Sequence, residues 1–194
     1  MTPALAKAVW AVIVVLWYAI RYPFERRAQK AAVARTHRDG REKTLLGISL
    51  TGLGLLPALY AATGVPRFAD YPFRPGLAWV GVIVAFAALL MFRLTHKALG
   101  RNWSVSLDVR ERHTLVTDGV YRLVRHPMYT AFWLWALAQA LLLPNWIAGP
   151  AGLVGFGTLF FFRVGREERM MLDAFGDGYR AYMRRSARVI PWVY

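Results

Sequence analysis

The sequence predicts an all-helical integral membrane protein, and three features of its composition support that fold class. Hydrophobic residues make up 57% of the 194 positions and are collected into long uncharged runs. The formal net charge is +14, and in a chain this apolar the excess of basic residues favours a bilayer over nucleic acid. There is no cysteine, which excludes disulfides, thiolate metal sites and thiol nucleophiles.

Four apolar blocks predict five membrane helices, because a helix needs about 20 apolar residues to cross the hydrocarbon core. The first three blocks, 3–20, 44–63 and 76–92, each predict one span. The fourth block, 130–162, is uncharged but is broken near its middle by Leu143-Pro144-Asn145-Trp146. We therefore predict a helical hairpin there, with two arms that are short for a full crossing.

The second span carries small residues in two patterns. Gly54, Ala58 and Ala62 recur at every fourth position, a spacing that lets membrane helices approach closely. Gly52-Leu53-Gly54 has the G-x-G spacing, but it lies inside a membrane span and lacks the strand-turn-helix setting of a dinucleotide site. A Rossmann sheet is therefore not expected.

Basic residues are concentrated in alternate loops, and this asymmetry predicts the orientation. Segments 21–43, 93–129 and 163–194 hold all but three of the 25 lysines and arginines. Because cytoplasmic loops are the basic ones, the N-terminus is predicted outside and the C-terminus in the cytosol. The same charges are expected to attract anionic lipid head groups. No nucleic-acid reading motif accompanies them, so nucleic acid is not an expected partner.

These boundaries predict one membrane-embedded domain over 1–194. Its parts, in order, are three spans in 1–92, a cytosolic segment 93–129, the hairpin 130–162 and a cytosolic C-terminal segment 163–194.

The first cytosolic segment contains three of the four histidines, His96, His113 and His126. They lack the i, i+4 spacing of a helical zinc pair, so no metal is expected. Asp118-Gly119 predicts a turn, and Pro127 suits the first turn of the fourth span. His126 is then expected in an extended conformation, and the free N–H groups at the helix start are available to an acceptor group.

The C-terminal segment places Arg163 and Glu167 four residues apart, on one face if the fifth helix continues past the bilayer. A plain surface ion pair is the alternative to a functional pair. Beyond it, an apolar stripe predicts an amphipathic helix on the membrane surface or against the core, bent by Gly176-Asp177-Gly178. The stripe consists of Met171, Phe175, Tyr179 and Tyr182.

Three groups of residues in the cytosolic segments match one known family in order and spacing. They are His113-Thr114-Leu115-Val116 with Gly119-Val120-Tyr121 and Arg125-His126-Pro127-Met128-Tyr129, then Arg163-x-x-x-Glu167-Glu168, then Phe175-Gly176-x-x-Tyr179-x-x-Tyr182. Over about residues 96–191 the chain resembles the isoprenylcysteine carboxyl methyltransferase family. Arg-His-Pro-x-Tyr alone also occurs in phospholipid methyltransferases and some sterol reductases, whereas the combination indicates the superfamily.

The resemblance implies a multi-span helical enzyme that binds S-adenosylmethionine in a cytosolic pocket, releases S-adenosylhomocysteine and uses no metal. Arg163 is then the catalytic residue that binds the methyl-accepting substrate. The implied cofactor residues are His113, Thr114, Leu115, Val116, Tyr121, His126, Pro127, Met128, Tyr129 and Glu167.

The implied reaction is methyl transfer to a lipophilic acceptor that enters from the bilayer, in particular carboxyl O-methylation of a prenylcysteine-like compound. A sulfonium methyl is already activated and a carboxylate is already ionised, so positioning and desolvation supply the acceleration. Two alternatives remain, an N-methyltransferase acting on a phospholipid or other lipid amine, and a non-catalytic membrane scaffold. The short, Ala- and Arg-rich chain resembles a compact prokaryotic form, for which a plasma-membrane location is expected; its oligomeric state is not predicted.

Overall fold

The computed structural model describes residues 1–30, 40–100 and 115–193 and is built almost entirely of helices. Within these ranges the α-helices are α1 Pro3–Lys30, α2 Gly40–Leu50, α3 Leu56–Thr63, α4 Pro75–Leu99, α5 Pro127–Leu142 and α6 Ala151–Arg185. Single turns of π or 3-10 helix occupy Thr51–Leu55, Arg67–Ala69 and Gly119–Arg122. The described residues form only two isolated β-bridges and no sheet, which confirms the predicted all-helical fold.

Three helical stretches of the described chain are long and apolar enough to cross a membrane, Pro3–Arg27, Gly40–Thr63 and Pro75–Leu99. They contain the first three predicted spans. The third of these stretches is α4. It continues to Leu99, past residue 92 where the span was predicted to end, so His96 is helical and fully buried instead of lying in a cytosolic loop. Its Nδ1 lies 2.8 Å from the carbonyl oxygen of Phe92.

Helices α5 and α6 form the predicted hairpin. Helix α5 has 16 residues, about 24 Å at 1.5 Å per residue, which is short of a bilayer core of about 30 Å. The turn is fixed by Asn145, whose buried Oδ1 accepts hydrogen bonds from the N–H groups of Ile147 and Ala148 at 3.0 and 2.9 Å. Its Nδ2 donates to Asp70 at 2.8 Å, tying the turn to the loop before α4. That the two arms are the fourth and fifth membrane helices stays a prediction.

Helices α2 and α3 form one rod joined by the π turn Thr51–Leu55. The N–H of Leu56 donates to the Thr51 carbonyl, five residues back. The next bond of that pattern would need an N–H from residue 57, which is Pro57 and has none. The Gly52 carbonyl is instead paired with Gln139 of α5, whose Nε2 lies 3.1 Å away. A side-chain amide from a neighbouring helix thus stabilises the π turn.

Gln139→Leu is expected to destabilise the fold by about 1–3 kcal/mol, because buried carbonyls lose their donor in an apolar setting. The fully buried Nε2 also lies 2.8 Å from the Ala148 carbonyl and 3.2 Å from the Gly149 carbonyl, so one substitution affects both the π turn and the hairpin turn. The measurement is the unfolding midpoint in mixed detergent micelles. Leu137→Ala, on the exposed face of the same helix, is the matched control, and an equal midpoint for both variants would refute this bracing role.

The close approach expected in the second span occurs, but at Gly52 and not at Gly54. A Cβ at Gly52 would overlap the Ala151 carbonyl of α6, and one at Gly155 would lie 2.8 Å from the Ile48 carbonyl oxygen. A Cβ at Gly54 would meet nothing nearer than 3.5 Å. Gly52 and Gly54 are two positions apart and therefore lie on nearly opposite faces of the helix, and Gly52 is on the face that packs on α6.

Helix α6 is bent at Gly176, the predicted position, and the part after the bend packs against the protein core. Gly176 has φ 52° and ψ −124° inside the helix, a conformation that favours glycine. Tyr179 and Tyr182 beyond it are each 2% exposed, so the aromatic stripe packs against the core. The chain after α6 then pairs with the start of α5, where the His126 N–H donates to the Arg188 carbonyl at 3.0 Å.

Candidate functional site

A cavity of about 600 Å³ lies between α1, α2, the π turn, α5 and α6. Along α6 its lining runs from Phe156 to Glu167, about 16 Å at 1.5 Å per residue. The deep end is apolar and is lined by Val14, Gly54, Trp135 and Phe156. The other end is charged and is lined by Arg21, Arg125, His126, Arg163 and Glu167. One cavity therefore joins a charged rim to an apolar shaft.

Glu167 is the centre of the charged rim and contacts three donors. Its Oε1 accepts from the Tyr129 hydroxyl at 2.6 Å and from Arg163 Nε at 3.0 Å, and its Oε2 lies 3.4 Å from His126 Nδ1. Burial alone would raise the pKa of Glu167, but the hydrogen bond and charge of His126, with Arg163, hold it below its usual range. The carboxylate is therefore ionised at neutral pH.

Glu168 forms a second cluster directly behind the first. Its Oε1 lies 3.1 Å from Arg125 Nε and 3.5 Å from His126 Nε2, and its Oε2 lies 2.6 Å from Arg188 Nη2. Burial opposes ionisation, but His126 and Arg188 lower the pKa of Glu168 to about 2. This carboxylate joins the start of α5 to the chain after α6.

His126 lies between the two carboxylates, with one ring nitrogen facing each. Burial would lower its pKa, but the neighbouring carboxylates of Glu167 and then Glu168 raise the pKa above the ordinary histidine value. This shift favours the charged imidazole, which is a poor proton acceptor. It orients both carboxylates instead.

Arg163 lies between two acidic groups on different helices. Its Nε contacts Glu167, and its Nη2 lies 3.7 Å from Oε1 of Glu42, which is 5% exposed in α2. The Arg163 side chain is 13% exposed and lines the cavity, so guanidinium donors are available there. Sequence reasoning missed Glu42, because it lies 121 positions from Arg163 and carries no local signal.

The remaining predicted cofactor residues fall into three groups. Tyr121 and Met128 line the cavity, and Pro127 is the buried first residue of α5. Leu115 and Val116 are half-buried before the Gly119 turn and are not among the cavity-lining residues. His113 and Thr114 lie outside the described residues.

Four further residues of the cytosolic segments contact or support the residues of the charged rim. Arg125 and Arg188 both contact Glu168. The Tyr182 hydroxyl donates to the Tyr121 carbonyl at 2.6 Å, and Tyr179 is buried beside Tyr182 with ring centroids 5.9 Å apart. Over the described part of the chain, no three His, Asp or Glu side chains are grouped so as to hold a metal ion.

Stability is expected to fall as pH drops from about 5 towards 3, because a carboxylate with a lowered folded-state pKa stabilises only while ionised. Glu168→Gln should cost about 3 kcal/mol near pH 6, since it leaves Arg125 and Arg188 without their shared anion. The difference in stability between wild type and Glu168→Gln should narrow as the wild-type carboxylate gains its proton. Thermal midpoints across this range check the sign, and a gap that widens on acidification would contradict it.

Comparisons with known proteins relate the sequence to one family. The sequence model of the isoprenylcysteine carboxyl methyltransferase family matches residues 79–173. Protein-S-isoprenylcysteine O-methyltransferase B of Arabidopsis thaliana is 30% identical over 133 residues, covering 64% of this chain and 68% of the relative. The Dictyostelium discoideum protein-S-isoprenylcysteine O-methyltransferase is 29% identical over 124 residues, covering 61% of this chain and 51%, about half, of that relative.

The fold also has a solved counterpart. It matches the structure of the eukaryotic intramembrane Ras methyltransferase ICMT, with a TM-score of 0.66 and 20% identity, over 100% of this chain and 69% of that chain. At this identity the likeness concerns the helical membrane fold alone. With the Arabidopsis relative and the family match over 79–173, it follows that the chain belongs to the isoprenylcysteine carboxyl methyltransferase family.

Proposed function

We propose that this chain is an S-adenosylmethionine-dependent methyltransferase that O-methylates the carboxylate of a prenylcysteine-like lipid. The observation that carries the proposal is the single cavity with a charged rim at Arg163 and Glu167 and an apolar shaft below it. A prenylated amino acid has the same distribution of charge, with an anionic head and a hydrocarbon tail. The relatives' names point to the same substrate class.

The rim residues fit the cofactor's chemistry. Glu167 is ionised and lines the cavity, and a carboxylate with about four lone-pair positions can accept an ammonium beside its three present donors. Backbone N–H groups at the start of α5 suit the cofactor carboxylate. Bound S-adenosylmethionine supplies a methyl group on an electrophilic sulfonium sulfur. His126 to Tyr129 and Glu167 would bind and orient it.

Arg163 would align the acceptor. With Nε on Glu167, its remaining guanidinium donors can bind a carboxylate through two parallel hydrogen bonds where the rim meets the shaft. The interaction should be used for alignment, because binding that is equally strong in ground and transition states does not raise kcat.

The same rim disfavours the lipid-amine alternative. An amine acceptor must lose a proton, which requires a base near the reacting nitrogen. The raised pKa of His126 favours its charged form, and the lowered pKa of Glu167 makes that carboxylate a weak base. A carboxylate acceptor needs no base, so O-methylation fits the described rim better.

We expect the lipid tail to enter sideways between α1 and α2. Helix α1 packs on α4 whereas α2 packs on α6, so the two helices diverge. Leu50 of α2 lines the cavity and is 62% exposed, which fits an opening on the lipid side. The rim would face the cytosol with the N-terminus outside, in a prokaryotic plasma membrane, as the basic loops and composition predict.

Gly54→Leu is expected to raise KM for a farnesyl-sized acceptor by about tenfold, because an isobutyl group in the apolar shaft removes space for the tail. Space for a Cβ exists, since the nearest atom is Leu50 Cδ1 at 3.5 Å. Cofactor affinity should not change, because Glu167 lies at the opposite end of the cavity. Gly47→Leu is the matched control, since Gly47 is exposed and does not line the cavity. Equal KM values for both variants would contradict a tail in this shaft.

The decisive experiment measures calorimetric binding of S-adenosylmethionine and S-adenosylhomocysteine to the detergent-purified protein. Transfer of labelled methyl to N-acetyl-S-farnesylcysteine is then compared with transfer to phosphatidylethanolamine. Saturable binding with transfer to the prenylcysteine supports the proposal. Transfer only to the amine would establish the N-methyltransferase, and a folded protein that binds neither cofactor form would be a scaffold.

A further inference from the structure

A second cavity, of about 510 Å³, lies on the far side of the Glu168 cluster. It is formed by the turn before α5, the end of α6 and the chain that follows α6. Five arginines line it, Arg122, Arg125, Arg184, Arg185 and Arg188. No acidic side chain is among its lining residues in the described chain. A cavity with this lining attracts an anion.

The arginines of this cavity differ in how they are neutralised. Arg125 and Arg188 share the single carboxylate of Glu168. Arg122, Arg184 and Arg185 have no carboxylate within 4.0 Å among the described residues, and Arg185 lies over the Tyr182 ring at 5.9 Å. Like charges held this close repel one another, so the excess positive charge calls for an external anion.

The border of the cavity is apolar and exposed. Trp192 and Val193 line it and are 89% and 78% exposed, and Ile190 and Leu123 nearby are 53% and 47% exposed. Tryptophan with aliphatic neighbours is typical of the head-group region of a bilayer. The chain after α6 is also hydrogen-bonded to the residues that begin the membrane hairpin, with Arg125 N–H donating to the Ala187 carbonyl at 2.8 Å.

We propose that this cavity binds the phosphate of an anionic phospholipid, with Arg122, Arg184 and Arg185 as its ligands. Trp192 and Val193 would lie among the neighbouring lipids. The apolar border and the attachment to the hairpin favour a lipid over a soluble phosphate compound. The inference does not depend on the proposed methyl transfer, because it concerns a separate cavity and a separate ligand.

The test titrates dihexanoyl phosphatidylglycerol into protein in neutral detergent and follows the thermal midpoint, with dihexanoyl phosphatidylcholine and inorganic phosphate as parallel arms. Wild type should be stabilised by the anionic lipid and not by the zwitterionic one. The double variant Arg122→Gln/Arg184→Gln should need about thirtyfold more lipid, since each basic residue at an anionic surface contributes about fivefold. Arg26→Gln/Arg27→Gln, exposed on α1 and outside the cavity, is the matched control and should behave as wild type.

The other outcomes overturn the proposal. Equal responses of the two double variants would mean general charge attraction without a site. Full stabilisation by inorganic phosphate would mean a soluble-anion site. Trp192→Ser separates the two sources of phosphate, because it should weaken the response to the lipid and leave any response to phosphate unchanged. Midpoints measured without additives show whether each variant is folded.

Discussion

Arg163→Lys is expected to lower kcat for the prenylcysteine acceptor by about 100-fold while S-adenosylmethionine affinity stays within about threefold. The guanidinium contacts Glu167 through Nε and lies 3.7 Å from Glu42 through Nη2, so its orientation is fixed by two helices. A lysine ammonium is a single point charge that can keep one of these contacts but cannot present two parallel donors to a carboxylate. Misalignment of the acceptor by about 1 Å is enough for a loss of this size.

The control is Arg169→Lys, the same replacement on an exposed position of α6. It should leave kcat unchanged. Cofactor affinity is measured by calorimetry and turnover with saturating prenylcysteine, so that binding and chemistry are read separately. If Arg163→Lys lost cofactor affinity and turnover in equal measure, Arg163 would belong to the cofactor site and not to acceptor alignment.

The parts of the site that follow from local rules could be predicted from sequence. The pairing of Arg163 with Glu167 follows from their four-residue spacing once a helix is expected there. Pro127 predicts an extended His126, and the observed φ of −124° agrees, whereas the ψ of 61° is non-helical but outside the extended region. The bend of α6 follows from Gly176 and its positive φ.

The parts that depend on distant contacts could not be predicted. Glu42 faces Arg163 only because α2 packs on α6, and it is separated from Arg163 by most of the chain. The π turn depends on Pro57, which removes one donor, together with Gln139 of another helix, which replaces it. The close helix contact is at Gly52 and not at Gly54 because of which face of the rod packs on α6, and the spacing of small residues does not report that face.

Glu167→Gln is expected to weaken S-adenosylmethionine binding by about 100-fold, equivalent to about 3 kcal/mol for an uncompensated buried charge pair. The amide is isosteric, but it has only one accepting atom for the donors that Tyr129, Arg163 and His126 direct at the carboxylate. Its NH₂ group would face one of those donors. The substitution therefore removes the partner of the cofactor ammonium and also loosens Arg163.

Tyr129→Phe separates these two effects, because it removes one donor and leaves the carboxylate in place. It should cost less than tenfold in cofactor affinity on its own. Added to Glu167→Gln it should cost almost nothing, since its hydrogen-bond partner is already altered; additive losses in this double-mutant cycle would contradict a shared network.

The pH dependence of cofactor affinity is a second check on the role of Glu167. The lowered pKa of Glu167 and the raised pKa of His126 favour the charged form of both groups, so wild-type affinity should vary less from pH 5 to 7 than the affinity of Glu167→Gln. In Glu167→Gln the pKa of His126 should fall, because one of the two anions that raise it is gone, and affinity should then vary across that range.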